Sequence, residues 1–99
     1  NKLIENLPMG IFFMFELPQI TTEEENNEFF DMGAQNGKRI RNKKGISQLE
    51  TALSIGQAGG GFYANMENNA HGKHFNLLHL FKLSKFFECD ICEFFTPIK

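Results

Sequence analysis

The chain has no Trp, one Tyr, three Pro and only two Cys in 99 residues. Two Cys spaced as CDIC cannot supply the several cross-links that hold small secreted domains together, so a cytoplasmic, reducing location is expected. No apolar run reaches the roughly 18 residues of a membrane span, and GIFFMF is too short and wrongly flanked for a signal peptide. Neither sign of charge dominates, since ten Lys and Arg stand against twelve Asp and Glu, a formal net charge of −2. That balance predicts no nucleic-acid partner and no pull toward an anionic membrane. The one basic run, GKRIRNKKG, reads as a solvated loop.

Catalytic signatures are missing too. No Ser sits in a nucleophile elbow and no His, Cys and Asp set has triad spacing, so the chain reads as a non-enzyme. AGGG lacks a following GK[ST] and reads as a helix stop. EEENNE lacks the spaced ligands and closing Glu of an EF-hand loop.

What the chain does have is Phe, twelve of its thirteen aromatics. Its length fits residues 1–99 as a single domain with a modest core, much of it aromatic. The chain opens on Asn1 and closes on TPIK, and is expected to be a piece of something longer. NKLIENLP suggests a short helix ended by Pro8, and GIFFMFE followed by QITT suggests two strands. EEENNEFFDMGA reads as a short helix that Gly33 stops. ISQLETALSIGQAGGG, with Ile46, Leu49 and Leu53 at helical spacing, reads as the longest helix. FYANMEN, HFNLLHLFKL and FFECDICEFF then read as three antiparallel strands. The expected fold is α+β, a five-stranded antiparallel sheet with short helices and one longer connecting helix on one face.

Several strings in that order resemble a PAS domain. LIENLPMGIFFMF is similar to the family's entry helix and first strand, NNEFFDMGA to its Asn-x-x-Phe-x-x-Leu helix, and GKRI to the Gly-Lys that follows. The resemblance implies a sensory module that binds a small molecule or partner. It would relay a signal to an effector of kinase, diguanylate cyclase or chemoreceptor type. The alternative is a ligand-free interaction domain that dimerises its parent protein. Heme, flavin and coumaroyl cofactors are not expected from that resemblance, because the connecting helix carries no His and both Cys fall in the expected last strand.

Strand parity and helix faces sort the remaining residues. It places Phe13, Phe15, Leu53, Phe62, Leu77, His79, Phe81 and Ile91 around an internal ligand pocket. It turns Leu78 and Leu80 outward, where Leu3, Ile4, Leu7, Phe12 and Met14 join them in a homodimer interface. His74 and His79 fall on opposite faces and Cys89 and Cys92 likewise, so no metal site is expected. His79 is the one ionisable group looking into the pocket.

Overall fold

Residues 19–98 are described by a computed structural model. The first helix, α1 (Glu23–Lys43), begins where Thr22 accepts a hydrogen bond from Glu25 N–H while the Glu25 carboxylate accepts one from Thr22 N–H, both 3.0 Å. This reciprocal cap is reinforced by Glu23, Glu24 and Glu25 at the positive end of the helix dipole and by Arg41 and Lys43 at the negative end. Three more helices follow, α2 (Gln48–Ser54), α3 (Gly60–Glu67) and α4 (Leu77–Phe87), then a single 3-10 segment, Ile91–Phe95.

Among the described residues all four α-helices end in the same way. One residue at the end of each turns to positive φ, and two backbone bonds close the turn: Ile46 to Arg41 and Gly45 to Asn42 for α1, Gln57 to Ala52 and Gly56 to Leu53 for α2. The same pair recurs as Ala70 to Asn65 with Asn69 to Met66, and as Cys89 to Ser84 with Glu88 to Lys85. The residues at positive φ are Gly45, Gly56, Asn69 and Glu88. These are Schellman stops, which satisfy carbonyls that a helix end otherwise leaves bare.

The core lies where the helices meet, around Ile40, Ala52, Ile55, Tyr63, Met66, Leu80, Leu83, Phe87 and Phe94. In α4 the buried set is Leu80, Leu83, Ser84 and Phe87, a helical spacing of three and four. Gly37 lies inside α1 for a packing reason: a Cβ there would sit 3.1 Å from the Phe75 ring and 3.4 Å from the Phe94 ring. Asn36 beside it donates to the carbonyls of Phe94 (3.1 Å) and Thr96 (2.7 Å), fixing the 3-10 segment against α1.

This architecture corrects the α+β expectation. Among the described residues there is no strand and no sheet; every regular element is helical. Residues 19–22 lead into the cap of α1, FYANMEN lies in α3 and its C-cap, HFNLLHLFKL enters α4, and FFECDICEFF spans the end of α4 and the 3-10 segment. The basic run, expected as a loop, forms the last turns of α1, and Gly33 does not interrupt that helix. The helix expected to run from Ile46 into the Gly run stops at Ser54, and Gly60 and Gly61 open a new one. Exposed Leu77, Leu78 and Phe81 fill the gaps between core positions of α4, so the segment looks uniformly apolar and its helical period is hidden. The expected strand GIFFMFE and the helix NKLIENLP lie outside the described residues.

Candidate functional site

Two short helices, α2 and α3, pack more extensively on each other than any other pair of elements. Ser47 caps α2 by accepting from Glu50 N–H at 3.0 Å. At the other end the chain reverses on Gly56, whose φ of +87° suits glycine. Only Gly56, Gln57 and Ala58 separate the cap positions Ile55 and Gly59. A Cβ on Gly60 would lie 3.7 Å from the Leu49 Cα, so the start of α3 rests on the backbone of α2.

A buried ion pair fixes this unit to α1. Arg41 donates two parallel bonds to Glu67, Nε to Oε2 at 2.7 Å and Nη2 to Oε1 at 2.9 Å. The Glu67 side chain is fully buried. Arg41 Nη1 also donates to the Ile46 carbonyl at 2.7 Å, and Gln48 Nε2 to Glu67 Oε1 at 3.3 Å. One polar network thereby ties three helices and the loop between the first two. The bond to Glu67 holds the Arg41 guanidinium above its ordinary value. Burial alone would raise the Glu67 carboxyl, but the Arg41 guanidinium, with Tyr63 and Gln48 nearby, outweighs it and holds the group below the usual range. Burial pushes the neighbouring Tyr63 phenol upward.

One face of α3 is thus spent on the core through Tyr63, Met66 and Glu67. Its opposite face carries Gly61, Phe62 and the half-buried Asn65, followed by exposed Asn68. Lys73, in the loop that follows, places its ammonium 5.3 Å from the Phe62 ring centroid. That loop is pinned to α1. The His74 ring stacks on Phe30 with centroids 3.9 Å apart, its Nδ1 lies 2.7 Å from Asn69 Oδ1, and Asn69 Nδ2 donates to Asn27 Oδ1 at 3.0 Å.

Charge is segregated along the chain. Residues 38–73 hold six Lys and Arg against two Glu, a formal +4, so the remainder carries −6. Lys38, Arg39, Lys43 and Lys44 at the end of α1 are all exposed. The basic residues flank α2 and α3 rather than lie on them, and Arg39, Lys43 and Lys44 share a hollow of about 530 Å³ with Glu88, Asp90 and Glu93.

The expected ligand pocket is dispersed. Leu77, Phe81 and Ile91 do meet, joined by Leu78, but around an open surface hollow of about 510 Å³. Leu53 and Phe62 are exposed on α2 and α3, and Phe13 and Phe15 lie outside the described residues. His79 is half-buried in the first turn of α4, where Nδ1 accepts the Asn76 N–H at 3.1 Å and His79 N–H donates to Asn76 Oδ1 at 2.7 Å. Burial, then the charge of Lys82, holds its imidazole below the ordinary value.

Of the residues expected at a dimer interface, Leu78 is exposed, Leu80 is buried in the core, and Leu3, Ile4, Leu7, Phe12 and Met14 lie outside the described residues. A second hollow, about 260 Å³, runs between Phe29, Phe30, Phe75, Leu77, Leu80 and Phe95. Leu77 belongs to both hollows, so the apolar surface is continuous, and no residue of α2 or α3 lines either. Cys89 and Cys92 are free thiols, and burial followed by Glu93 raises the first. Among the described residues no three His, Cys, Asp or Glu converge as a metal set, and no helix is long and apolar enough to cross a membrane.

Sequence reasoning missed Arg41, Glu67 and Asn65. The ion-pair partners are 26 residues apart, beyond any local spacing rule, and the one signal was a lone Glu inside the short apolar segment FYANME.

The chain matches no family model, no curated protein and no solved structure. The expected membership of the PAS family is therefore set aside, on two grounds: no family model matches, and a sheet-based fold is incompatible with described residues whose every regular element is helical.

Proposed function

We propose that α2 and α3 form a DNA-binding helix-turn-helix, with α3 as the helix that enters the major groove. The observation that carries this reading is the junction. Two helices packed on each other are joined through a glycine turn of three residues between caps, and the second helix leaves Gly61 and Phe62 exposed on the side away from the core, with Asn65 half-buried beside them. The motif characteristically has a turn of about three or four residues, often with Gly. The charge pattern supports it as well. Net charge of −2 argues against nucleic acid only if charge is spread evenly; α2 and α3 carry no Lys or Arg, so attraction to phosphate falls to exposed Lys38, Arg39, Lys43, Lys44 and Lys73 on their flanks. Lys43, Lys44 and Lys73 are assigned to the DNA backbone and α3 to the bases.

A second copy of this chain is the proposed partner. Helix-turn-helix dimers set two reading helices about 34 Å apart on one side of the duplex, which a lone α3 cannot do. The surface for it is the continuous apolar one around Leu77, which is 74% exposed, with Leu78 at 57% and Phe81 at 52%. With Phe29, Phe30 and Phe95 these side chains present on the order of 600 Å², close to the roughly 800 Å² that each partner contributes to a standard interface. An open hollow suits a second protein surface better than an enclosed small molecule.

Fluorescence anisotropy of the full chain with a randomised 20-base-pair duplex pool tests the DNA reading. Binding at micromolar concentration in low salt is expected, weakening steeply as salt rises. Lys43→Ala with Lys44→Ala should weaken binding to all sequences alike and flatten the salt dependence by about one unit of slope for each phosphate no longer neutralised. Failure to retain any duplex at about 50 mM salt would sink the reading.

A further inference from the structure

The free face of α3 has an unusual composition for a surface that meets DNA. Between Ser47 and Glu67 the only charged side chains are Glu50 and Glu67, and Glu67 is buried against Arg41. No Arg or Lys on α2, the turn or α3 can therefore donate to guanine O6 and N7, the contact that most often selects G·C. The first two residues of α3 are glycine, which has no side chain to read with, so the helix can approach a base edge closely but selects nothing at those positions.

Two side chains remain. Phe62 is 49% exposed, although the Lys73 ammonium lies 5.3 Å from its ring centroid. Asn65, three residues on, is half-buried, and its carboxamide has no hydrogen-bond partner among the described residues. Residues three apart on a helix are surface neighbours, about 5–6 Å between Cβ atoms, a span comparable with one to two base-pair steps. In the major groove an aromatic or aliphatic side chain contacts the thymine C5-methyl, and a carboxamide donates to adenine N7 while accepting from its N6 amino group.

We propose that α3 reads adjacent A·T base pairs, Phe62 packing on a thymine methyl and Asn65 pairing with a neighbouring adenine. The inference rests on the helix-turn-helix reading and adds to it the class of sequence bound. Lys73 is the third member: held beside the ring, it orients Phe62 and neutralises the flanking phosphate.

The test uses chemistry in the DNA, so it does not depend on any variant folding. The full chain selects its preferred site from a randomised duplex pool. That duplex is then remade with dU in place of each dT in turn, which removes only the methyl group. Wild-type protein should select A·T pairs and lose about fourfold in affinity at one or two dU positions, the value of one buried methyl-sized group. Phe62→Ala should bind the dT and dU duplexes equally. Asn65→Ala should lose its preference at the adjacent adenine, by about five- to 150-fold. Binding that ignores every dT to dU change, or selection of G·C pairs at the centre of the half-site, overturns the inference and leaves the DNA reading standing. No binding to any duplex overturns both.

Discussion

Glu67 is the residue on which the most structure hangs. Its carboxylate receives Arg41 from α1 and Gln48 from α2 while itself belonging to α3. Taking away one member of such a pair strands the other without a partner in a buried site, at a cost of about 3–5 kcal/mol. Glu67→Ala is expected to lower the unfolding free energy by that amount. Arg41→Met combined with Glu67→Met should recover most of it, because a matched apolar pair removes both charges at once. Circular dichroism during urea unfolding measures both. A double variant no more stable than the single one would show that stranding a charge is not the source of the cost. The carboxyl is held below its usual range, so its contribution is complete above the unfolded value near 4.5 and disappears as pH falls through the lower folded value. Asn65 and Phe62, by contrast, lie outside the core cluster and are the residues to change when recognition rather than folding is in question.

At the scale of elements, starts and stops are legible to different degrees. Gly45 and Gly56 are the residues a left-handed helix stop prefers, and both occupy such stops. Asn69 and Glu88 serve the same purpose at positive φ, and Glu88 carries no sequence signal for it. Starts are harder to see. Thr22 with Glu25 follows the familiar pattern, whereas α4 opens on Asn76 with a histidine as the reciprocal acceptor. His79 can accept from the Asn76 N–H only while Nδ1 is unprotonated, and a charged ring at the positive end of the helix is unfavourable. Its folded value lies below the ordinary 6.5, so its contribution is whole above that value and is lost as pH falls through the folded one. Thermal unfolding should therefore show stability declining from pH 7 toward pH 5, and the decline should shrink in His79→Gln, which preserves a capping acceptor. An equal decline in the variant would assign the effect to other groups. Asn76→Ala should cost about 1 kcal/mol at any pH.

For the whole molecule, the arrangement separates the α2–α3 pair from an apolar surface lined by α1, α4 and the 3-10 segment. Pairing two chains through the apolar surface leaves both α3 helices free. Sedimentation velocity should find a dimer at micromolar concentration, and Leu78→Glu with Phe81→Glu should yield monomers with an unchanged helical spectrum, since both side chains are exposed. A wild-type monomer at high micromolar concentration would remove the second copy from the proposal. Composition and local pattern by themselves determined a helix opening on the acidic EEENN stretch and a helix around QLETAL. The expected Phe-rich interior is not what forms, since among the described phenylalanines only Phe87 and Phe94 are buried. Composition and pattern did not determine whether the C-terminal third was strand or helix, because a run such as LLHLFKL satisfies an alternating pattern and a helical one together. Packing decided it: Leu80, Leu83 and Phe87 reach the core from a single side of a helix, and Gly37 admits the rings of Phe75 and Phe94. Only the tertiary structure joined Arg41 to Glu67 across 26 residues and turned Phe62 and Asn65 to the free side of α3. Pairings between distant segments depend on how helices stack, and no spacing along one segment encodes that.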